Sequence, residues 1–361
     1  MMTENKRSLP NRILSGYWKE GHVQGIAVDT ARGFVYYSFT TILLKTDLEG
    51  HPLGCVENLV GHLGCITFDA ENNRIYGSLE LKHDAIGNSI VNRTGKALAE
   101  EDSFYLVSFD LSKIDRMGMD AERDGVMRAV YLGDVVKDYM ESDEVSGKPH
   151  RYGCSGIDGT ALGPVFGQPK DSEPKIMVAY GIYGDTERRD NDYQVILQYD
   201  RSVIDRYALP LDQANPHHSG PASAEARYFF FTGNTSYGIQ NLEYDAYSGN
   251  WLVAVYVGSK ETYSNYPLFL IDGSETPKKT ALFGRQGEVG KVLTSAKLGE
   301  PDLCGKLYGS RFPYGQTGVM SLGNGEFYFS QPVSNKEEKS YSSTVVKYRF
   351  DPELPELFRE V

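Results

Sequence analysis

The chain has 361 residues and a formal net charge of −12, with 37 Lys and Arg against 49 Asp and Glu. That balance argues against a nucleic-acid binder, which needs a basic face to neutralise phosphates. Hydrophobic residues at 40% and charged residues at 24% suit a packed core, in one large domain or two ordinary ones, rather than disorder.

The 25 tyrosines and 38 glycines favour half-buried strands joined by tight turns. Residues 1–11 read as a flexible N-terminus, and 12–361 as a single domain. The N-terminal stretch lacks the apolar run of a signal peptide, and no later segment reaches the length of a membrane span. The expected location is the cytoplasm, with no membrane partner. Cys55, Cys65, Cys154 and Cys304 show no CxxC spacing and read as reduced thiols.

One six-residue pattern recurs five times along the chain. A short strand at 12–18 precedes the first copy, Gly21-His22-Val23-Gln24-Gly25-Ile26, which is followed by strands at 34–38 and 42–47. The second, Gly61-His62-Leu63-Gly64-Cys65-Ile66, leads to strands at 74–78 and 105–110. The third, Tyr152-Gly153-Cys154-Ser155-Gly156-Ile157, leads through a longer connection to 175–180 and 194–200. The fourth, Tyr237-Gly238-Ile239-Gln240-Asn241-Leu242, leads to 251–256 and 268–272. The fifth, Tyr314-Gly315-Gln316-Thr317-Gly318-Val319, leads to 327–330 and 345–351.

Short strands at regular spacing, divided by turn signals, form an all-β array, and a small antiparallel unit repeated around a ring is a propeller blade. The last unit leaves little chain for a fourth strand, and the segment 12–18 is free to supply it and close the ring. The expected fold is therefore a single five-bladed β-propeller. Six blades are the alternative, because the strand-like run 227–232 falls outside the repeat.

The repeated motifs should encircle one mouth of the central channel. The insertions 81–102, 140–151, 212–236 and 283–313 are expected on the same face. Candidate catalytic residues are His22, His62, Tyr152, Tyr237, Tyr314 and Glu80. Candidate substrate-binding residues are Gln24, Arg151, Gln240, Arg311, Gln316, Lys82 and His83. Tyr walls suit the faces of a sugar, while Gln, Arg and His suit its hydroxyl groups, so the expected ligand is a small molecule or oligosaccharide, acidic in character.

Two chemistries fit. Glycoside hydrolysis takes a pair of carboxylates. The inner motifs offer no repeated Asp or Glu, so acids would come from loops, Glu80 first. A β-elimination lyase instead needs a cation at the uronate carboxylate and His or Tyr as base and acid. No cofactor is evident, although His22 and His62, at matched positions on adjacent blades, are a possible divalent-metal pair. A propeller that binds a ligand or a protein partner without chemistry is the alternative function, since this fold alone selects none.

The repeat, with its Gly-Ile-x-x-Asp first strand and aromatic second strand, resembles the broad group of NHL-like, SMP-30-like and quinoprotein-like propellers. The five-unit count is similar to that of five-bladed carbohydrate-active propellers. Five-bladed glycosidases carry acids on their innermost strands, where this chain has His, Tyr and Gln. Oligogalacturonate lyases, propellers of higher blade number, use His and Gln around a metal. No residue role is carried over from either group.

Overall fold

A computed structural model describes residues 8–361 apart from Val145. Five sheets follow one another around a ring, each beginning at its inner strand with a copy of the repeat, and neighbouring inner strands touch in sequence with the last against the first. The protein is a five-bladed β-propeller.

Blade 1 comprises Val23–Asp29, Phe34–Phe39, Ile42–Asp47 and Pro52–Glu57. Blade 2 comprises His62–Asp69, Arg74–Leu81, Ser103–Asp110 and Met127–Tyr131. Blade 3 runs from Cys154–Gly163 through Lys175–Ile182 and Tyr193–Tyr199 to Ala226–Phe231. The last of these is the run left outside the repeat. It pairs antiparallel with Tyr193–Tyr199 as the fourth strand of blade 3, with Val289–Val292 and Lys278–Ala281 beyond it, so no sixth blade forms. Blade 4 holds Thr235–Tyr244, Trp251–Val257 and Leu268–Ile271, with bridges from Ile271 to Ser295 and from Leu268 to Ser310 on its outside.

Blade 5 holds Val319–Ser321, Glu326–Asn335 and Ser340–Phe350, and both chain ends complete it. Arg12–Leu14 pairs antiparallel with residues 344–346, and Phe358–Glu360 pairs with 348–350. The ring is thus closed by the N-terminal strand, with a C-terminal strand beside it. Residues 1–7 of the expected flexible segment lie outside the described residues. Within 8–11, Pro10 O accepts from Tyr328 Oη at 2.6 Å and Leu9 O accepts from Lys347 Nζ at 3.1 Å.

Buried apolar side chains form five clusters, one between each pair of neighbouring blades. Both faces of every blade are therefore covered, which is why the strands are buried nearly end to end rather than alternating. Ile13, 2% exposed, carries the closing strand into the cluster between blades 5 and 1. Ile13→Ala is expected to cost about 2–5 kcal/mol. Urea denaturation measures this, and a loss below about 1 kcal/mol would show that the closing strand carries little of the ring's stability.

Among the described residues three α-helices interrupt the blades. The first, α1, is Ala85–Thr94, set between the second and third strands of blade 2. Asp84 caps it by accepting from Ile86 N and Gly87 N, both at 2.9 Å, and Gly95 ends it in the left-handed conformation. The others, α2 (Gly133–Met140) and α3 (Arg201–Tyr207), lie after the outer strand of blade 2 and the third strand of blade 3. Among the described residues no helix is long and apolar enough to cross a membrane. Cys55, Cys65 and Cys154 are free and buried, Cys304 is free and half-buried, and burial raises all four thiols.

Candidate functional site at the mouth of the ring

The inner strands open into a cavity of about 410 Å3 to which every blade contributes. Blade 1 supplies His22, Gln24 and Thr40; blade 2 supplies His62, Glu80, Lys82 and the underside of α1. Blade 3 adds Ser155 and Asp158, blade 4 Tyr237, Gln240 and Tyr256, and blade 5 Tyr341. The volume lies in the range of small-molecule sites, about 300–1,000 Å3.

The floor is charged and almost wholly buried. His62 and Glu80 face each other across adjacent antiparallel strands, so the sheet register itself sets them side by side. Glu80 Oε1 accepts from Ile157 N at 2.6 Å, and Glu80 Oε2 lies 2.8 Å from Lys82 Nζ. Gly156, at φ 127°, makes room for this carboxylate, because a Cβ there would run into Glu80 Oε1. Lys82 Nζ also reaches Ser155 O at 2.7 Å and Asp84 Oδ2 at 3.2 Å. Burial alone would depress this ammonium, but Glu80 and Asp84 outweigh it and hold the group above its ordinary value.

Asp158, from blade 3, completes the floor. Its Oδ2 accepts from Gln240 Nε2 at 2.9 Å, and its Oδ1 stands 3.7 Å from His62 Nδ1. His62 Nδ1 lies 3.6 Å from Glu80 Oε2 as well, and among the described residues it has no hydrogen-bond partner although buried. Burial, reinforced by Glu80, pushes the Asp158 carboxyl up to about 7, against the opposing pull of His62 and Lys82. Asp158 was not anticipated from the sequence. It occupies the residue after the six-residue motif, where blade 1 has Ala27, blade 2 Thr67 and blade 4 Glu243. The six-residue motifs themselves hold no Asp or Glu, but one residue past them two blades place an acid at the same position. A register shift between Ile157 and Thr160 marks the strand at Asp158. Glu243 instead accepts from Ser321 N at 2.8 Å and is not part of this cavity.

The walls are polar and more open. His22 lines the cavity and is exposed there, yet enclosure of its ring by surrounding protein, with repulsion from His62 and Arg93, pushes it down to about 4. It is therefore a neutral imidazole at pH 7. Gln24 Nε2 lies 3.0 Å from His22 Nε2, so the ring accepts there and carries its proton on Nδ1. Tyr237 is 45% exposed and adopts φ 64°, an uncommon conformation for an aromatic residue at a wall.

The other candidates stand elsewhere. Tyr152 enters blade 3 through a tight turn with φ 59°, and its ring lies under Arg151, Arg227 and Arg285 while its hydroxyl donates to Glu288. Arg151 reaches the same Glu288, at 3.4 Å. Tyr314 packs against Phe312 and Tyr348. Arg311 stacks on Tyr266 and pairs with Glu300 at 3.3 Å. Gln316 is buried and donates to Pro267 O at 3.4 Å. His83 binds Asp102 at 2.8 Å, which pins together the two ends of the insertion that carries α1.

Of the four insertions expected at the mouth, only 81–102 lines the cavity. The segment 212–236 includes the fourth strand of blade 3, and before it Ser219 O accepts from Tyr131 N at the outer edge of blade 2. As for metal, no three His, Cys, Asp or Glu side chains among the described residues stand together as a site. His22 and His62 lie near enough to repel each other, but Gln24 occupies one ring and carboxylates flank the other.

No known family profile matches this chain, and no curated protein does. Solved structures with some likeness include a protein of Desulfotomaculum acetoxidans described as functionally unknown, with 10% identity over 94% of this chain and 68% of that one, TM-score 0.36. A calcium structure of a Trichoderma reesei carbohydrate-active enzyme of family AA12 shows 10% identity over 89% and 80%, TM-score 0.37. The Myceliophteria thermophila Cps50 (Swd1) β-propeller domain shows 9% identity over 91% and 98%, TM-score 0.28. Likenesses this distant carry no argument about the site, which rests on the chain's own geometry.

Proposed function

We propose that the protein is an acid–base enzyme that binds a small acidic saccharide in the mouth of the ring and cleaves it by β-elimination. The observation that carries this reading is the buried His62–Asp158 pair on the cavity floor, with His62 Nδ1 free of any hydrogen bond among the described residues. A group titrating near neutral pH is suited to taking and returning a proton at pH 7. The pair would take the proton beside the substrate carboxylate, a carbon–carbon double bond would form, and the glycosidic C–O bond would break. Tyr237, an exposed phenol on the blade 4 wall, would protonate the departing oxygen. His22, Gln24 and Gln240 offer hydrogen bonds to sugar hydroxyls.

Hydrolysis is less well supported. It asks for two carboxylates facing the substrate, whereas both oxygens of Glu80 are held, by Ile157 N and by Lys82. Incubation with oligosaccharides of galacturonate, glucuronate and mannuronate separates the two chemistries. Elimination produces an unsaturated, ultraviolet-absorbing end, and the account expects that absorbance to rise with time. New reducing ends without absorbance would replace elimination by hydrolysis. Binding without any product would reduce the site to a ligand-binding one.

A further inference from the structure

Charge accounting at the mouth singles out one residue that the repeat does not contain. Two side chains lining the cavity carry a permanent positive charge, Lys82 and Arg93. Lys82 is spent on Glu80 and Asp84. His22 is neutral at pH 7, and His62 faces two carboxylates. Among the described residues Arg93, on the last turn of α1, makes no ion pair, and its one side-chain hydrogen bond is a long one to Thr41 Oγ1 at 3.5 Å. Glu20 is the acid whose charge acts on it, and among the described residues the two form no ion pair. In a chain of net charge −12, an exposed arginine without a carboxylate partner at the edge of a cavity needs a reason.

The backbone makes space for it. Gly21 sits at φ 94°, and a Cβ there would run into Thr40 Oγ1 and fall 2.6 Å from Arg93 Nη1. The first residue of the blade 1 motif thus accommodates the guanidinium, where Tyr237, at the matching position in blade 4, projects a ring into the same cavity. His22, directly after Gly21, feels the guanidinium as a repulsion.

We propose that Arg93 is the specificity-determining residue of the mouth, binding a single carboxylate group of the ligand. The inference rests on the reading of the mouth as a saccharide site and adds to it the group that selects acid over neutral sugars. One cation without an ion-pair partner among the described residues matches a monoanion, and the planar guanidinium fork matches the two oxygens of a carboxylate. Because α1 is an insertion tied at its base by His83 and Asp102, the selecting residue is carried by a separate element above the catalytic floor.

Titration calorimetry of the full chain tests this with disaccharides of galacturonate, glucuronate and mannuronate and with their methyl esters, which keep the size and remove the charge. The parent protein is expected to bind at least one acid about 10-fold or more tighter than its ester, the scale of a hydrogen bond to a charged group. Arg93→Gln should erase that preference without changing the melting temperature, and Arg93→Lys should restore part of it. If acid and ester bind the parent equally, or if Arg93→Gln keeps the preference, the role of Arg93 is overturned while the saccharide site stands. If the Arg93-dependent preference is found but no unsaturated product forms, the elimination chemistry fails and the role of Arg93 stands. Failure of every acid and every ester to bind overturns both.

Discussion

Lys82→Met is expected to destabilise the protein by about 3–5 kcal/mol, the cost of leaving a buried ion pair without one partner. The Lys82 side chain is 4% exposed and its partner Glu80 2%. Removing the ammonium leaves Glu80 without its cation in the floor of the channel. It also frees Asp84, which pairs with Lys82 through one oxygen and caps α1 through the other. The damage should therefore spread to the insertion over the mouth. The double variant Glu80→Gln/Lys82→Met removes both charges and should recover much of the loss, because a neutral pair of similar volume carries little desolvation penalty. Urea denaturation of the parent and the two variants measures this. A single-variant loss below about 1 kcal/mol would mean that the Glu80 carboxylate is not held in the buried network described.

Asp158→Asn is expected to lower turnover by about 10²–10⁴-fold, the range for loss of a positioned general acid or base. It should also change the dependence of stability on pH, with a sign fixed by the direction of the shift. The folded pKa, about 7, lies above the ordinary 3.8, so folding favours the protonated form. The stability this group contributes is complete below about pH 4 and is lost as the pH rises through 7. Asparagine cannot lose a proton, so the variant should gain on the parent steadily between pH 4 and pH 8. Denaturation midpoints at those two limits show it. A gap between the proteins that does not change with pH would mean that Asp158 titrates as an ordinary carboxylate.

The ring was legible in the sequence because its period survives in short motifs, each fixing where an inner strand begins. The same period placed His22, Gln24, His62, Tyr237 and Gln240 at one mouth, and the structure brings them together. The period placed Tyr152 and Tyr314 there as well, and the structure does not. The chain enters blade 3 through a tight turn and buries Tyr152 beside Arg285, and Tyr314 finds an aromatic cluster at blade 5. A motif gives the position of a residue along a strand but not the rotation of the backbone just before it. Asp158 carries no mark in the repeat because it lies one residue past the motif and depends on an irregular register that no local pattern announces. Even so, an acid where two blades have Ala27 and Thr67 was a signal open to reading. Arg93 had no signal in the repeat, since its place comes from how an inserted helix folds back over the channel.

The most direct test of the mouth as the ligand site uses the seven histidines of the chain as reporters. Two of them, His22 and His62, line the cavity, whereas His51, His83, His150, His217 and His218 do not. Ring proton and nitrogen spectra recorded while a uronate disaccharide is added should show the signals of His22 and His62 moving together with one affinity, and the other five unmoved. Shifts confined to the other histidines, or a saturable binding event that leaves both His22 and His62 unchanged, would contradict a ligand site at the mouth of the ring.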